Sequence, residues 1–260
     1  MIDIHCHMLP AIDDGAASWD DSLAMADMAV RDGIKTIITT PHQLGNFSGN
    51  RGDTIRDLTK EFQDLLDQHE IPLTVLPGAD VRIEPEMIAG IRAGDVLTLA
   101  DRRRHVLLEL PHEVYLPLDR LLDDLRAARL VGILSHPERN RGILTRPDVL
   151  GPLVDSGCLM QVTAGSIAGT FGPQIQQFAQ RLVSDGLVHF LATDAHSPRS
   201  RRPLMRRALE LVSALVGREA AHELCCRNPG LVAAGRDVPP GRARWARRGL
   251  RRWFSWSKAG

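Results

Sequence analysis

Two rhythms of hydrophobic and polar positions alternate along this 260-residue chain. Short apolar runs recur at residues 2–5, 36–42, 74–80, 106–109, 131–136, 158–163 and 188–196. Their length and β-branched content predict buried strands. Between them lie stretches with helical spacing. Residues 21–32 follow a capping Ser18 or Asp20, bury Leu23, Ala26 and Val30, and stop at Gly33. Residues 54–68 place Ile55, Leu58, Phe62, Leu65 and Leu66 on one face, and 118–130, 147–156, 173–185 and 203–216 follow the same pattern. About seven strands alternating with helices imply parallel pairing and right-handed crossovers. An open doubly wound sheet would gather its chemistry at one switch point. Here polar groups follow nearly every strand, which predicts an α/β fold of the closed kind, a distorted (β/α)7 TIM-like barrel with its site on the C-terminal rim.

The polar residues at those strand ends are metal-capable. In Asp3-Ile4-His5-Cys6-His7, alternation puts His5 and His7 on one face and turns Cys6 to the other as a packed thiol. An HxH pair alone is more often a pair of core or surface histidines. The later strands change that balance, because they end in His42, Asp80, Glu109, His136, Asp194 and His196, and Asp14 follows the first. Nine candidates overfill one ion's shell and suit two or three ions bridged by a carboxylate or water. Mixed carboxylate and imidazole donors favour Mn²⁺ or Fe, with Zn²⁺ also compatible. His69, His105, His112, His189 and His222 miss the expected strand ends and read as structural or solvated, although His112 could line the rim. Gln161 ends its strand without a strong ligand group, which suggests a supporting or substrate contact.

Composition narrows the function further. Formal net charge is zero, so no global field points to nucleic acid. Lys occurs only at 35, 60 and 258, leaving arginine as the main cation. Cys6, Cys158, Cys225 and Cys226 have neither zinc-ribbon nor disulfide-scaffold spacing. The start lacks an apolar signal region, and no run is long enough to span a bilayer, so a cytoplasmic chain with reduced thiols is expected. A cysteine-dependent phosphatase needs an arginine six residues beyond its thiolate. Those positions hold Ile12, Ala164, Leu231 and Val232, which excludes that chemistry. No phosphate-cradling GKS/T or dinucleotide GxGxxG loop follows a strand.

These residues carry a resemblance. DIHCH at the start, DDG at 13–15, TPH at 40–42, GADVRI at 78–83, LLELP at 107–111, SHPERN at 135–140 and TDAH at 193–196 are similar to motifs of the PHP (polymerase and histidinol phosphatase) superfamily. Within it they most resemble the metal-dependent bacterial protein-tyrosine phosphatases of capsule and exopolysaccharide operons, the CpsB/YwqE type, over roughly residues 1–230. The resemblance implies one ion held by His5, His7, Asp80 and Asp194, a second by Asp80, Glu109 and His136, and a third by Asp14, His42 and His196. Asp80 departs from the usual Glu at the bridging position. Arg139 resembles the family's phosphate-contacting arginine. Arg201 resembles a second one, although Arg202 beside it competes for that assignment. The implied activity is hydrolysis of a phosphomonoester, foremost phosphotyrosine on a membrane tyrosine autokinase of polysaccharide assembly. The alternatives are a small-molecule phosphatase such as one for histidinol phosphate, or a metal-binding partner protein without catalysis.

The resemblance stops before the end of the chain. Residues 1–235 are expected to form the barrel and 236–260 a basic tail, with Arg242, Arg244, Arg247, Arg248, Arg251, Arg252 and Lys258 interleaved with Trp245, Trp253, Phe254 and Trp256. That composition suits peripheral contact with a membrane surface. The alternatives are a disordered end and a segment docked on the barrel.

Overall fold

The structure is a computed structural model that describes residues 1–242. Most of the basic tail, residues 243–260, and with it the expected interfacial helix, lies outside the described residues. Nine strands are described: β1 (Ile2–Cys6), β2 (Thr36–Thr39), β3 (His42–Gln43), β4 (Thr74–Pro77), β5 (Asp80–Arg82), β6 (His105–Glu109), β7 (Val131–Ser135), β8 (Leu159–Thr163) and β9 (Phe190–Ala192). One sheet runs β1-β2-β4 and the other β3-β5-β6-β7-β8-β9, and every pair is parallel. The chain is thus an α/β protein built on parallel sheets.

Two expected strands, 36–42 and 74–80, each divide in two. Pro41 has no N–H to give to a ladder, and the preceding Thr40 N–H turns to Cys6 O at 2.9 Å. At Gly78 a Cβ would stand 2.7 Å from Ile38 Cγ2, so only glycine lets the chain cross there. Pairing resumes beyond both breaks, with His42 opposite Asp80. These interruptions re-aim His42 and Asp80 after their strands have been anchored. At the other side, Asp194 N–H donates to His5 O at 2.7 Å and His7 N–H to Ala195 O at 2.8 Å. The residues that follow β9 therefore lie against the end of β1.

Strand alternation sorts the apolar side chains into two cores. Ile4, Ile38, Leu107, Ile133, Leu159 and Phe190, from six strands, meet in one cluster with Leu99, Ala100, Val232 and Val238. Their neighbours Ile37, Leu108, Leu134, Met160 and Leu191 belong to the larger core, with Met25, Phe62, Leu66, Leu125, Val183 and Val212 from the helices. Cys6 is buried in this larger core. The helix Trp19–Asp32 starts where Ser18 Oγ accepts from Asp21 N–H and ends at Gly33, whose φ of 97° favours glycine. The expected helix at 147–156 is a single turn, Pro147–Val149, followed by Leu150–Asp155. Residues 236–242 pack on the same unit: Val238 is buried, His189 Nε2 donates to Gly241 O at 2.9 Å, and Arg242 pairs with Asp155.

Candidate metal centre

The geometry of β1 fixes which nitrogen each histidine offers. His5 Nδ1 stands 2.9 Å from Gln161 Oε1, an atom without a proton, so Nδ1 carries the hydrogen and Nε2 the lone pair. His7 Nδ1 likewise donates to Asp13 Oδ2 at 2.7 Å, again leaving Nε2 free. The two Nε2 atoms face each other at 3.1 Å. Two lone pairs at that distance repel unless a cation lies near both. Asp80 and Asp194 reinforce the need, standing 3.5 and 3.3 Å from His5 Nε2.

All nine predicted ligand residues come together. Their donor atoms form four overlapping groups, each within 4.8 Å: His7-Asp14-His42-His196, His5-His7-Asp80, His5-His136-Asp194 and His42-Asp80-Glu109. This differs from the grouping that the resemblance implies, which set Asp194 with His7 and Asp80, His136 with Asp80 and Glu109, and His42 with Asp14 and His196 alone. His136 falls in with His5 and Asp194, and Glu109 Oε2 has His42 Nδ1 at 3.6 Å. Asp14 Oδ1 is 3.4 Å from the Nε2 atoms of both His42 and His196. His136 and Asp194 have φ of 33° and 51°. Non-glycine residues hold such conformations, at about 1–3 kcal/mol each, only where the surroundings impose them. Here Asp194 N–H is held by His5 O at 2.7 Å.

Both arginines reach the same carboxylate. Arg139 Nη2 pairs with Asp194 Oδ2, and Arg201 Nη2 lies 2.5 Å from that oxygen. The other oxygen, Oδ1, turns to His5, His7 and His196 at 3.3–3.6 Å. Asp194 therefore links the cations to the imidazole cluster. The Nε–H of each arginine is buried without a partner, a donor left over for an anion. Arg139 also stacks over Phe171, 4.9 Å from the ring centroid. Arg202 is exposed, so the structure brings Arg201 to the cluster.

Several supporting residues escaped the sequence reading. Asp13 accepts from His7 Nδ1, from His42 N–H at 3.0 Å and from Gly15 N–H at 2.9 Å, tying two candidate ligands together. Gly15 is needed because a Cβ there would sit 2.3 Å from His7 O. Asp3 accepts from the Thr193 N–H at 3.0 Å and hydroxyl at 2.5 Å, fixing β1 to the end of β9. Glu138 Oε1 accepts from Thr163 N–H and Ser166 Oγ, and Asn140 caps the helix Arg141–Thr145. Within SHPERN, then, His136 and Arg139 face the cluster while Glu138 and Asn140 fasten the loop. A DDG turn and an acid beside a ligand were the available signals, and neither says which carboxylate turns inward. Of the remaining histidines, His105 and His189 are buried at the opening ends of β6 and β9.

The donor set fits divalent ions. Asp80 is fully buried with neither carboxylate oxygen hydrogen-bonded, and His42 Nδ1 is also unpartnered. Burial, reinforced by Glu109, pushes the Asp80 carboxyl well above its usual range. Burial lowers His5 to about 4, and burial with the neighbouring His196, His42 and His5 holds His7 well below the usual imidazole range. Both rings are thus neutral, the form that binds metal. Burial would lower His42 too, but Asp14, Asp80, Glu109 and Asp13 outweigh it and raise it to about 9. Asp194 stays low despite burial because Arg139, His5 and Arg201 surround it. So many unsatisfied acceptors in one buried place call for positive charge.

With the site described, similarity to known proteins supplies its family. The capsular polysaccharide synthesis family CpsB/CapC matches residues 1–233. The chain is 40% identical over 226 residues to the tyrosine-protein phosphatase YwqE of Bacillus subtilis (strain 168), covering 86% of this chain and 88% of that one. It is 30% identical over 210 residues to CapC of Staphylococcus aureus, covering 80% and 82%. A solved structure from work on YwqE of Bacillus subtilis and CpsB of Streptococcus pneumoniae, metal-dependent tyrosine phosphatases, superposes with a TM-score of 0.88 at 38% identity, over 94% of this chain and all of that one. A chain that brings these nine side chains together, matched over nearly its whole described length, belongs to the CpsB/CapC family of capsular polysaccharide synthesis proteins.

Proposed function

We propose that this chain is a metal-dependent protein-tyrosine phosphatase that acts on a phosphotyrosine protein, foremost a membrane tyrosine autokinase of polysaccharide assembly. The observation that carries the reading is the pair of Nε2 lone pairs of His5 and His7 converging at 3.1 Å beside the unpartnered carboxylate of Asp80. His5, His7, Asp14, His42, Asp80, Glu109, His136, Asp194 and His196 would hold two or three divalent ions, Mn²⁺ before Fe or Zn²⁺. Bound there, such ions supply Lewis-acid charge to a phosphoryl group and acidify water. Arg139 and Arg201 bind the outer phosphate oxygens through their free N–H groups, which favours the charge gathered there during displacement. Asp13 and Gln161 hold His7 and His5 in the tautomer with Nε2 unprotonated.

The same reading extends to the architecture. We infer that β2 with β3, and β4 with β5, each act as one interrupted strand, so that seven strand positions close into a distorted (β/α)7 barrel through the bridge between Cys6 and Ala195. The apolar cluster that draws on successive strands would be the barrel interior. The basic residues after 242 would then bring the enzyme to an anionic membrane surface near its kinase, while no described helix is long and apolar enough to cross a membrane. An assay with a phosphotyrosine peptide, a phosphoserine peptide and histidinol phosphate, each with added Mn²⁺, tests the proposal. Preferential turnover of phosphotyrosine supports it, and preference for histidinol phosphate replaces it with the small-molecule reading.

A further inference from the structure

A cavity of about 250 Å³ opens beside the metal centre, lined by His42, Leu44, Phe47, Arg82, Glu84 and Glu109. It shares His42 and Glu109 with the cluster, whereas the two arginines reach the cluster at Asp194. Leu44 and Phe47 give it an apolar wall. Phe47 stacks on the His42 ring, 5.3 Å between centroids and 20° from parallel. The turn that presents them is built rather than loose: Phe47 N–H donates to Leu44 O at 3.0 Å, and Asn50 Nδ2 donates to Ile12 O and His42 O at 2.9 and 2.8 Å. Leu44 is held at a φ of 68°, a conformation that a leucine rarely adopts. Strain of this kind gathers where a binding surface has to be aimed.

We propose that this cavity receives the aromatic ring of the phosphoester and that Phe47 sets a preference for aryl over alkyl leaving groups. The inference rests on the phosphatase reading and adds to it the determinant of substrate class. His5, His7 and Asp80 are fully buried, so a phosphate that meets them has to reach past the rim. Phosphoserine carries its phosphate one carbon from the main chain and would drive peptide backbone against the turn at Leu44–Phe47. Phosphotyrosine holds its phosphate a phenyl ring further out, and that ring fills the space next to Phe47. With the phosphoryl oxygens drawn to Arg139 and Arg201, the organic part of the ester lies towards His42 and Glu109, where the cavity is. The Arg82 stem, which also lines the cavity, lies against Gly45 of the same turn, where an added Cβ would come within 3.1 Å of it.

The test compares wild type with Phe47→Ala, Phe47→Leu and Phe47→Tyr, each loaded with Mn²⁺ and checked for metal content. Steady-state kinetics with a phosphotyrosine peptide and with glycerol 2-phosphate give the aryl-to-alkyl ratio of kcat/KM. Calorimetry gives the affinity for phenylphosphonate relative to inorganic phosphate. Phe47→Ala is expected to lower both ratios roughly 10-fold, the size of one lost aromatic contact with its buried area, and to do so through KM. Phe47→Leu should fall between the two, and Phe47→Tyr should keep the wild-type ratios. An active wild type whose Phe47→Ala and Phe47→Leu variants keep both ratios would overturn this inference alone, as would an equal loss on aryl and alkyl substrates. A metal-loaded wild type inert towards every phosphomonoester would overturn the phosphatase reading and this inference with it.

Discussion

Strand β6 begins with His105 and ends with Glu109, and the contrast between those two ends runs through the molecule. At the opening ends of the strands, His105 and His189 are buried, and burial lowers each to about 4. His189 spends both nitrogens on the backbone, accepting from Met160 N–H at 3.1 Å and donating to Gly241 O at 2.9 Å. At the closing ends, His5 and His7 each spend one nitrogen on a supporting oxygen and turn the other towards the side chains of Asp80 and Asp194. Burial does not separate the two ends, and neither does a missing partner alone, since both His105 nitrogens are unpartnered as well. The convergence of unsatisfied acceptors marks the functional end, so a buried histidine becomes informative only when the direction of its second nitrogen is known.

The largest effects should follow from breaking the closing end. Chelation with EDTA is expected to abolish phosphotyrosine turnover and Mn²⁺ to restore it, while thiol alkylation leaves it intact, because Cys6, Cys158 and Cys225 are buried and Cys226, the more accessible thiol, is not among the candidate ligands. Asp80→Asn removes a charge from the centre and should nearly eliminate activity and metal content together. Asp80→Glu restores the longer arm and should keep activity or raise it. Normal turnover and metal content in Asp80→Asn would remove Asp80 from the ligand set.

Arg139→Ala should have the next effect, lowering kcat/KM by roughly 10²-fold, the size expected of one lost charge-stabilising contact. Elemental analysis should find its metal content unchanged. Lost metal would instead make Arg139 a support for Asp194, its partner in the structure.

At the opening end the expected effects are on stability. The folded His189 titrates near 4 and an unfolded one near 6.5. Between those values the unfolded chain binds the extra proton, so this contribution to stability is full above about pH 6.5 and is lost as pH falls through 4. Urea midpoints measured at pH 7 and pH 5 should therefore show a smaller acid-induced drop in His189→Gln than in wild type, with phosphotyrosine turnover at pH 7 unaltered. An equal drop in both would show that His189 does not set that pH dependence.

The smallest effect concerns the tail. Removing residues 243–260 should spare turnover of a soluble phosphopeptide and abolish salt-sensitive sedimentation with anionic vesicles. Truncation at 235 should also lower the thermal midpoint, since Val238, Gly241 and Arg242 pack on the folded unit. Equal vesicle binding by full-length and truncated chains would separate the tail from the membrane.

The sequence made the closing end legible because histidine and carboxylate are chemically distinctive and recur at the ends of apolar runs. Nothing local distinguishes Asp13 from Asp14. Asp13 turns inward to His7 and His42, and Asp14 outward to face His42 and His196, only because Gly15 lets the turn lie on His7 O. Phe47 and Phe171 read as ordinary apolar residues until the fold sets one on His42 and the other under Arg139. The strand breaks were visible as Pro41 and Gly78, but the apolar runs around them outweighed those signals. Short helices such as Ala164–Ala168 span too few residues to show a period.

The measurement that bears most directly on the metal-centred account is a stepwise chelator titration of the purified chain, with metal per chain and phosphotyrosine-peptide turnover followed in parallel. The active protein is expected to carry at least two Mn²⁺ or Fe equivalents, to lose turnover as they are removed, and to recover it when Mn²⁺ is added back to wild type but not to Asp80→Asn. Full turnover in a metal-free chain would contradict this expectation.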